Sequence, residues 1–400
     1  MLLVTTVSLG VVACGSIIFS QDPGGGPLTG GEADDPTLVP WTSGDLKVSS
    51  ATALIRDGWY NMPNDLAMWK GFYWLVYRRG TGHSGMMRLW GDPPQPQGGN
   101  SFIVVWRSND LARWHEVKLF EPPEGIVDGG GTGSGYLCPT DDRLQIFFRV
   151  QWPDRDAKVY TAWTSDGVNW TQPQVVRLAA EYPQLRHPRF RDGRFYCSVW
   201  LAGQDRGPYN LCVSDDGIQW ERHAQIAQNV PEGLCDESDL HWLENGELWC
   251  VVRSSGAVRR HHAQGEALMF WSKPPYTRWE GGTSIGRCDA PVMCATGGQV
   301  YLAGRGPTKI TLKPDEGGGR QGAPALYRLK RGQAELLVSF PAGGDGSYSG
   351  LISPAPGRLA WSFYSDVAYQ SGRLKPRFQP QYRYKSTACD IYLAHIEVPV

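Results

Sequence analysis

Thr164-Ser165-Asp166-Gly167-Val168-Asn169-Trp170 is one of three clean copies of a seven-residue pattern, Ser/Thr-x-Asp-(Gly/Leu)-x-x-Trp. The others are Ser108-Asn109-Asp110-Leu111-Ala112-Arg113-Trp114 and Ser214-Asp215-Asp216-Gly217-Ile218-Gln219-Trp220, and Ser272 to Trp279 is a degenerate fourth. Each part has a mechanical reason. The hydroxyl and the Asp carboxylate satisfy turn amides, Gly takes a positive φ, and Trp folds back as a wedge. The Trp residues lie 56, 50 and 59 positions apart. The chain therefore repeats one structural unit every 50 to 60 residues.

A second repeat lies between these turns. Six times an apolar stretch meets a tight-turn signal and resumes, at Lys70-Gly71, Asp141-Asp142, Asp192-Gly193, Asn245-Gly246, Gly297-Gly298 and Pro356-Gly357. Asn-Gly and Asp-Gly flanked by strand formers predict hairpins. Units of this length with four short strands are β-propeller blades. The roughly 355 residues after residue 45 hold about six of them. The reading is all-β: a six-bladed β-propeller of four-stranded antiparallel blades, with five or seven blades fitting the length less well. The run Asp390 to Val398 reads as a closing strand, predicted to share a blade with N-terminal strand material so that no sheet edge stays open.

Composition agrees. Gly 49 and Pro 29 make up about a fifth of 400 residues, which argues against long helices. The hydrophobic content of 41% supplies a core, excluding global disorder. Lys plus Arg (39) balances Asp plus Glu (40), so no nucleic-acid role is indicated. The 17 Trp are either repeated core wedges or a sugar-stacking surface, and the repeat spacing assigns four of them to wedges.

Residues 1–20 read as an export signal. The apolar run 2–13 is too short to span a bilayer, and Val11-Val12-Ala13-Cys14 resembles a bacterial lipobox, which would make Cys14 a lipidation site. No Lys or Arg precedes the run, so an ordinary export signal is the alternative. Residues 21–45, rich in Gly, Pro and acids, read as a flexible tether, and residues 46–400 as the propeller. The expectation is an exported protein, anchored in the cell envelope or released from it, touching membrane only through its N-terminus. Eight Cys follow Cys14, an even number that permits disulfides, although Cys197, Cys212 and Cys250 read as small buried hydrophobes within strands. No CxxC or Cys/His cluster has zinc spacing, so neither metal nor organic cofactor is expected.

In a propeller, residues distant in sequence meet at the axis, just before or after the inner hairpins. Four segments stand out: Tyr60 to Asp65 with strand Trp74–Arg78 and His83, Cys235 to Leu240 with Arg253, Gly317 to Arg320, and Gly344 to Leu351. Over residues 50–400 the chain resembles the sialidase (neuraminidase) superfamily, whose Asp-box the seven-residue pattern also resembles. The resemblance implies a retaining exo-glycosidase acting on terminal, anionic sugars of glycans. Tyr348, in Tyr-Ser-x-Leu, would be the nucleophile and Glu237 the base that activates it. Arg78, Arg253 and Arg320 would clamp the substrate, and His83 stands where the acid/base Asp is expected, with Asp65 as a displaced alternative. His187, in Leu185-Arg186-His187-Pro188, would line the same pocket. The partner would be a glycan or glycoconjugate, and the protein a monomer.

A neutral phenol suits attack beside a substrate carboxylate, which would repel an anionic nucleophile. With an ordinary pKa of about 10 it needs a neighbouring base. Tyr nucleophiles are a known exception among retaining glycosidases, and arginine binds carboxylates bidentately. Two departures stand out. Sialidases read Tyr-Arg-Ile-Pro where this chain has Tyr60-Asn61-Met62-Pro63, so an uncharged Asn61 replaces one clamp arginine, and His83 replaces an Asp. A neutral or differently charged glycan would tolerate both. Two competing readings are a five-bladed glycosidase using axial carboxylates such as Asp65, Asp239 and Asp345, and a propeller that binds glycans without turnover.

Overall fold

The computed structural model describes residues 38–80, 101–123, 131–151, 157–178, 184–200, 209–227, 234–254, 266–307, 322–343, 346–375 and 388–400. Its strands form six antiparallel sheets whose inner strands contact those of the next sheet around a closed ring, a six-bladed β-propeller in which the second strand of the third sheet makes the contact with the fourth.

Strands β1 (Trp41–Thr42) and β2 (Lys47–Ile55) precede the first complete blade. That blade holds β3 (Tyr60–Trp69), β4 (Phe72–Gly80), β5 (Ser101–Ser108) and β6 (Trp114–Phe120). The second holds β7 (Gly131–Pro139), β8 (Leu144–Gln151), β9 (Lys158–Thr164) and β10 (Gln174–Val175). The third holds β11 (Arg189–Arg191), β12 (Arg194–Trp200), β13 (Tyr209–Ser214) and β14 (Glu221–Ala227). The fourth holds β15 (Leu234–Trp242), β16 (Leu248–Ser254), β17 (Ala267–Ser272) and β18 (Trp279–Ser284). The fifth holds β19 (Asp289–Thr296), β20 (Gln299–Pro307), β21 (Gly322–Lys330) and β22 (Gln333–Ser339). The sixth is β23 (Gly346–Ala355), β24 (Arg358–Ser365) and β25 (Asp390–Glu397), completed by β2 on the outside of β25. The ring is thus sealed by strands from opposite ends of the chain, as the closing-strand reading anticipates. Only one four-residue helix, Val367–Gln370, interrupts the described strands. The last residues of the expected tether also join the fold: Trp41 and Thr42 pair with Ser339 and Val338 on β22, and Leu38 is buried.

All six predicted turns join the first and second strands of their blades. At the first, Lys70 and Gly71 have φ values of 49° and 76°, the left-handed pair that a two-residue hairpin requires. The second strands read as unbroken apolar runs because each blade is covered on both faces, and the period of two sorts their side chains. Trp74 and Val76 of β4 join a core with Ile146 and Phe148 of the second blade. Leu75 and Tyr77 join another with Tyr364 and Leu393 of the sixth.

The Asp-boxes are the turns between third and fourth strands. In the third blade Gly217 N–H donates to Ser214 Oγ at 2.8 Å, and Asp216 Oδ1 accepts from the N–H groups of Ile218 and Gln219 at 2.7 and 2.8 Å. Trp220 Nε1 then donates to Gly217 O at 3.0 Å, which folds the indole back over the turn. The ring wedges between blades, 6.1 Å from Phe147 and 6.3 Å from Phe195. Trp170 does the same against Trp74 and Phe120 at 6.3 and 5.5 Å. Cys197, Cys212 and Cys250 are fully buried free thiols, as read from their strands.

Candidate active site

Five of the six inner strands break register near their starts: β3 between Asn61 and Asn64, β7 between Thr132 and Gly135, β15 between Leu234 and Ser238, β19 between Asp289 and Val292, and β23 between Ser347 and Gly350. Such bulges re-aim side chains that a regular strand would point into the sheet. Glu237 lies in the β15 break, Ala290 in that of β19 and Tyr348 in that of β23. Ala290, Ser347 and Tyr348 adopt φ values of 50°, 80° and 58°, left-handed backbone that non-glycine residues hold only where the surroundings enforce it.

These breaks bring Tyr348 and Glu237 together. The half-buried Tyr348 donates its phenol hydrogen to Glu237 Oε1. Glu237, 3% exposed, accepts through Oε2 from Arg253 Nη1 at 2.6 Å and from Ala290 N–H at 2.9 Å. Arg253 also places its Nε 2.9 Å from Asp289 Oδ1, and Arg287 approaches the same carboxylate at 3.7 Å. Two further guanidiniums flank the phenol ring, Arg305 at 5.2 Å and Arg186 at 5.6 Å from its centroid. Arg305 is fixed by bonds to Gly346 O and Tyr364 Oη, both 2.8 Å. Arg186 donates to Tyr136 Oη at 3.0 Å and lies 4.0 Å from Glu237 Oε1.

The electrostatics follow from this packing. Burial alone would raise the Glu237 carboxyl, but Arg253, then Arg186, and the hydrogen bond from Tyr348 outweigh it and bring it down to about 2. Burial and the Glu237 charge push the Tyr348 phenol well above its ordinary value, against the pull of the arginines. At neutral pH the pair is a protonated phenol bonded to a carboxylate. Among the described residues four arginines surround two carboxylates, a setting for an anionic ligand.

Of the other sequence-predicted residues, Arg253 lies in this centre, whereas Asn61, Arg78 and Asp65 serve the blades around it. Asn61 is fully buried and donates to Asp57 Oδ1 at 2.7 Å, beside an Arg79–Asp57 ion pair of 3.2 Å. Arg78 is buried along its own blade, with its guanidinium so close to Gly80 that an added Cβ would lie 2.7 Å from Nη2. Asp65 accepts from Leu137 N–H of the second blade at 3.0 Å, and Asp239 in the fourth blade accepts from Met293 N–H of the fifth at 2.6 Å. Asp239 also holds Arg189 through both oxygens. These equivalent carboxylates tie inner strand to inner strand. His187 lies 3.6 Å from Asp65 and against the Tyr136 ring, whose hydroxyl holds Arg186. His83, Arg320, Asp345 and Cys14 lie outside the described residues.

Sequence reasoning missed Arg186, Arg305, Arg287 and Asp289. A signal for Arg305 existed, because an arginine near the end of a blade's second strand recurs at Arg78, Arg253 and Arg305. Arg186 stood beside His187 in a segment read for its histidine.

The Glycosyl hydrolases family 32 N-terminal domain matches residues 55–269, more than half of the chain. The chain belongs to that family. The matched stretch contains Arg186, Glu237 and Arg253, while Arg305 and Tyr348 lie beyond it. A rice (Oryza sativa subsp. indica) protein named beta-fructofuranosidase, insoluble isoenzyme 2, is 27% identical over 207 residues, covering 46% of this chain and 32% of the rice protein. The match thus spans about a third of that relative's length. Among solved structures, a Dyadobacter fermentans protein of unknown function superposes with a TM-score of 0.63 at 14% identity, covering 88% of this chain and 99% of that one. Trypanosoma rangeli sialidase in complex with sialic acid superposes with a TM-score of 0.56 at 12% identity, covering 94% and 59%. Both likenesses are of fold. Family and fold together make this a β-propeller of the glycosyl hydrolase family matched here.

Proposed function

We propose that this protein is a retaining glycoside hydrolase of terminal anionic sugars, with Tyr348 as nucleophile and Glu237 as its base. The observation that carries the reading is the phenol–carboxylate hydrogen bond set among Arg186, Arg253 and Arg305. A substrate carboxylate engages these guanidiniums and draws Arg253 away from Glu237, which restores basicity to a carboxylate that Arg253 otherwise holds down. Tyr348 Oη then forms a bond to the anomeric carbon as the bond to the leaving oxygen breaks. The phenol proton passes to Glu237, and the leaving oxygen takes its proton from His83. Water releases the sugar in a second displacement: its oxygen bonds the anomeric carbon as the bond to Tyr348 Oη breaks, one of its protons goes to His83 and the other stays on the new hydroxyl, and the departing phenolate takes its proton back from Glu237. The axial-carboxylate reading loses support because Asp65 and Asp239 are bound to neighbouring strands. Export through the Cys14 signal, with lipidation at that residue, is part of this proposal.

A second reading has an observation of its own: the similarity to the rice beta-fructofuranosidase favours a fructoside substrate. One experiment separates them. Wild type and Tyr348→Phe are assayed on an aryl α-sialoside and on sucrose. The first reading expects sialoside turnover that the variant abolishes with little change in melting temperature. Turnover of sucrose alone, undiminished in Tyr348→Phe, would replace it with the second.

A further inference from the structure

Tyr348 holds its position with a backbone that L-residues rarely adopt, and so does Ser347 before it. Something outside β23 must hold them there. Asn64, 1% exposed on β3 of the first blade, donates from Nδ2 to the Tyr348 carbonyl at 2.8 Å. Its Oδ1 accepts from Ser362 Oγ at 2.5 Å, and that hydroxyl in turn accepts from Gly350 N–H at 3.2 Å. The partners fix the orientation of the amide, since a main-chain carbonyl can only accept. The loop therefore runs from Gly350 through Ser362 and Asn64 back to Tyr348, and it encloses the bulge that aims the phenol. The two blades meet closely here: a Cβ added to Gly350 would lie 2.2 Å from Leu66 N.

We infer that Asn64 is a positioning residue for the nucleophile: it holds the Tyr348 carbonyl, and with it the left-handed backbone that delivers the phenol to Glu237. This rests on the nucleophile reading above. Asn64 needs no contact with substrate, because a donor on the main chain of residue 348 constrains where its side chain starts. Asp in its place keeps the size and the acceptor for Ser362 but turns the donor towards Tyr348 into an oxygen, which repels that carbonyl.

The test compares Asn64→Asp and Asn64→Ala with wild type and with Tyr348→Phe. Two readouts are used: kcat and KM on an aryl α-sialoside, and the fluorine resonance of residue 348 in fluorotyrosine-labelled protein. That resonance is assigned by its disappearance in Tyr348→Phe. The expected result is a loss of about 10²-fold in kcat with KM within about threefold, the scale of an ångström-sized misplacement, together with a shifted residue-348 resonance. A folded Asn64→Asp or Asn64→Ala protein with wild-type kcat and an unmoved resonance would overturn the inference while leaving the nucleophile in place. Full activity in Tyr348→Phe would instead remove the nucleophile reading itself. Should both Asn64 variants fail to fold, Ser362→Ala, which frees Asn64 Oδ1, is expected to move the resonance in the same direction, and an unmoved signal there counts against the inference.

Discussion

Replacing Glu237 with Gln isolates the charge at the centre of the site. The amide keeps the size of the side chain and an oxygen for the Tyr348 hydroxyl, but removes the negative charge facing Arg253 at 2.6 Å and Arg186 at 4.0 Å. In the folded protein the carboxyl is brought from 4.5 down to about 2, chiefly by Arg253 and then Arg186 acting against burial. That displacement corresponds to about 3 kcal/mol. Because the folded-state value lies below the unfolded one, the stabilisation is fully present above about pH 4.5 and is lost as pH falls towards about 2. Urea titrations of wild type and Glu237→Gln give their stability gap at each pH. The remaining carboxylates titrate in both proteins and cancel in the difference. The gap should be widest near neutrality and narrow by about 2 kcal/mol between about pH 6 and pH 3. Loss of the proton acceptor should also lower kcat by about 10²- to 10⁴-fold. A gap that stays constant across that interval would refute the claim that Glu237 is held ionised by its arginines.

Other substitutions probe the frame. A Cβ at Gly322 would lie 2.3 Å from Arg305 Cδ and 2.8 Å from Arg287 Nη2, so Gly322→Ala should displace both side chains and raise KM for an anionic substrate about tenfold with little change in melting temperature. An unchanged KM would remove Arg305 from the binding site. Gly350→Ala meets main chain instead, 2.2 Å from Leu66 N and 2.7 Å from Asp65 C, and should destabilise by about 3 kcal/mol in chemical denaturation. Wild-type stability would mean that the first and sixth blades are not in such close contact. Trp220→Ala deletes a wedge that is 7% exposed and should cost about 3–5 kcal/mol, whereas a loss below about 1 kcal/mol would mean that the Asp-box turn stands without its indole.

The blade count was legible because its determinants are local. A hairpin needs two residues of suitable φ, an Asp-box needs seven, and a strand buried on both faces needs only an apolar run. Glu237 and Arg253 were legible for a related reason, since they sit on paired strands joined by one predicted turn. The surroundings of Asn61 and Arg78 were not legible from the motif that singled them out: Asn61 is buried with its amide on Asp57, and the Arg78 guanidinium lies close to Gly80.

The remaining site residues depend on closure of the ring. Tyr348 reaches Glu237 across 111 residues, and Asn64 reaches Tyr348 across 284. Arg186 and Arg305 enter from the third and fifth blades, and nothing in either local segment specifies the other. Strand patterning can state that six blades form, because every blade repeats the same short-range requirements. It cannot state which side chains meet at the axis, because the bulges there depend on inner strands packing against one another. The Glu237 carboxyl is brought below its ordinary value only because that packing places Arg253 and Arg186 beside it, against the burial that would raise it.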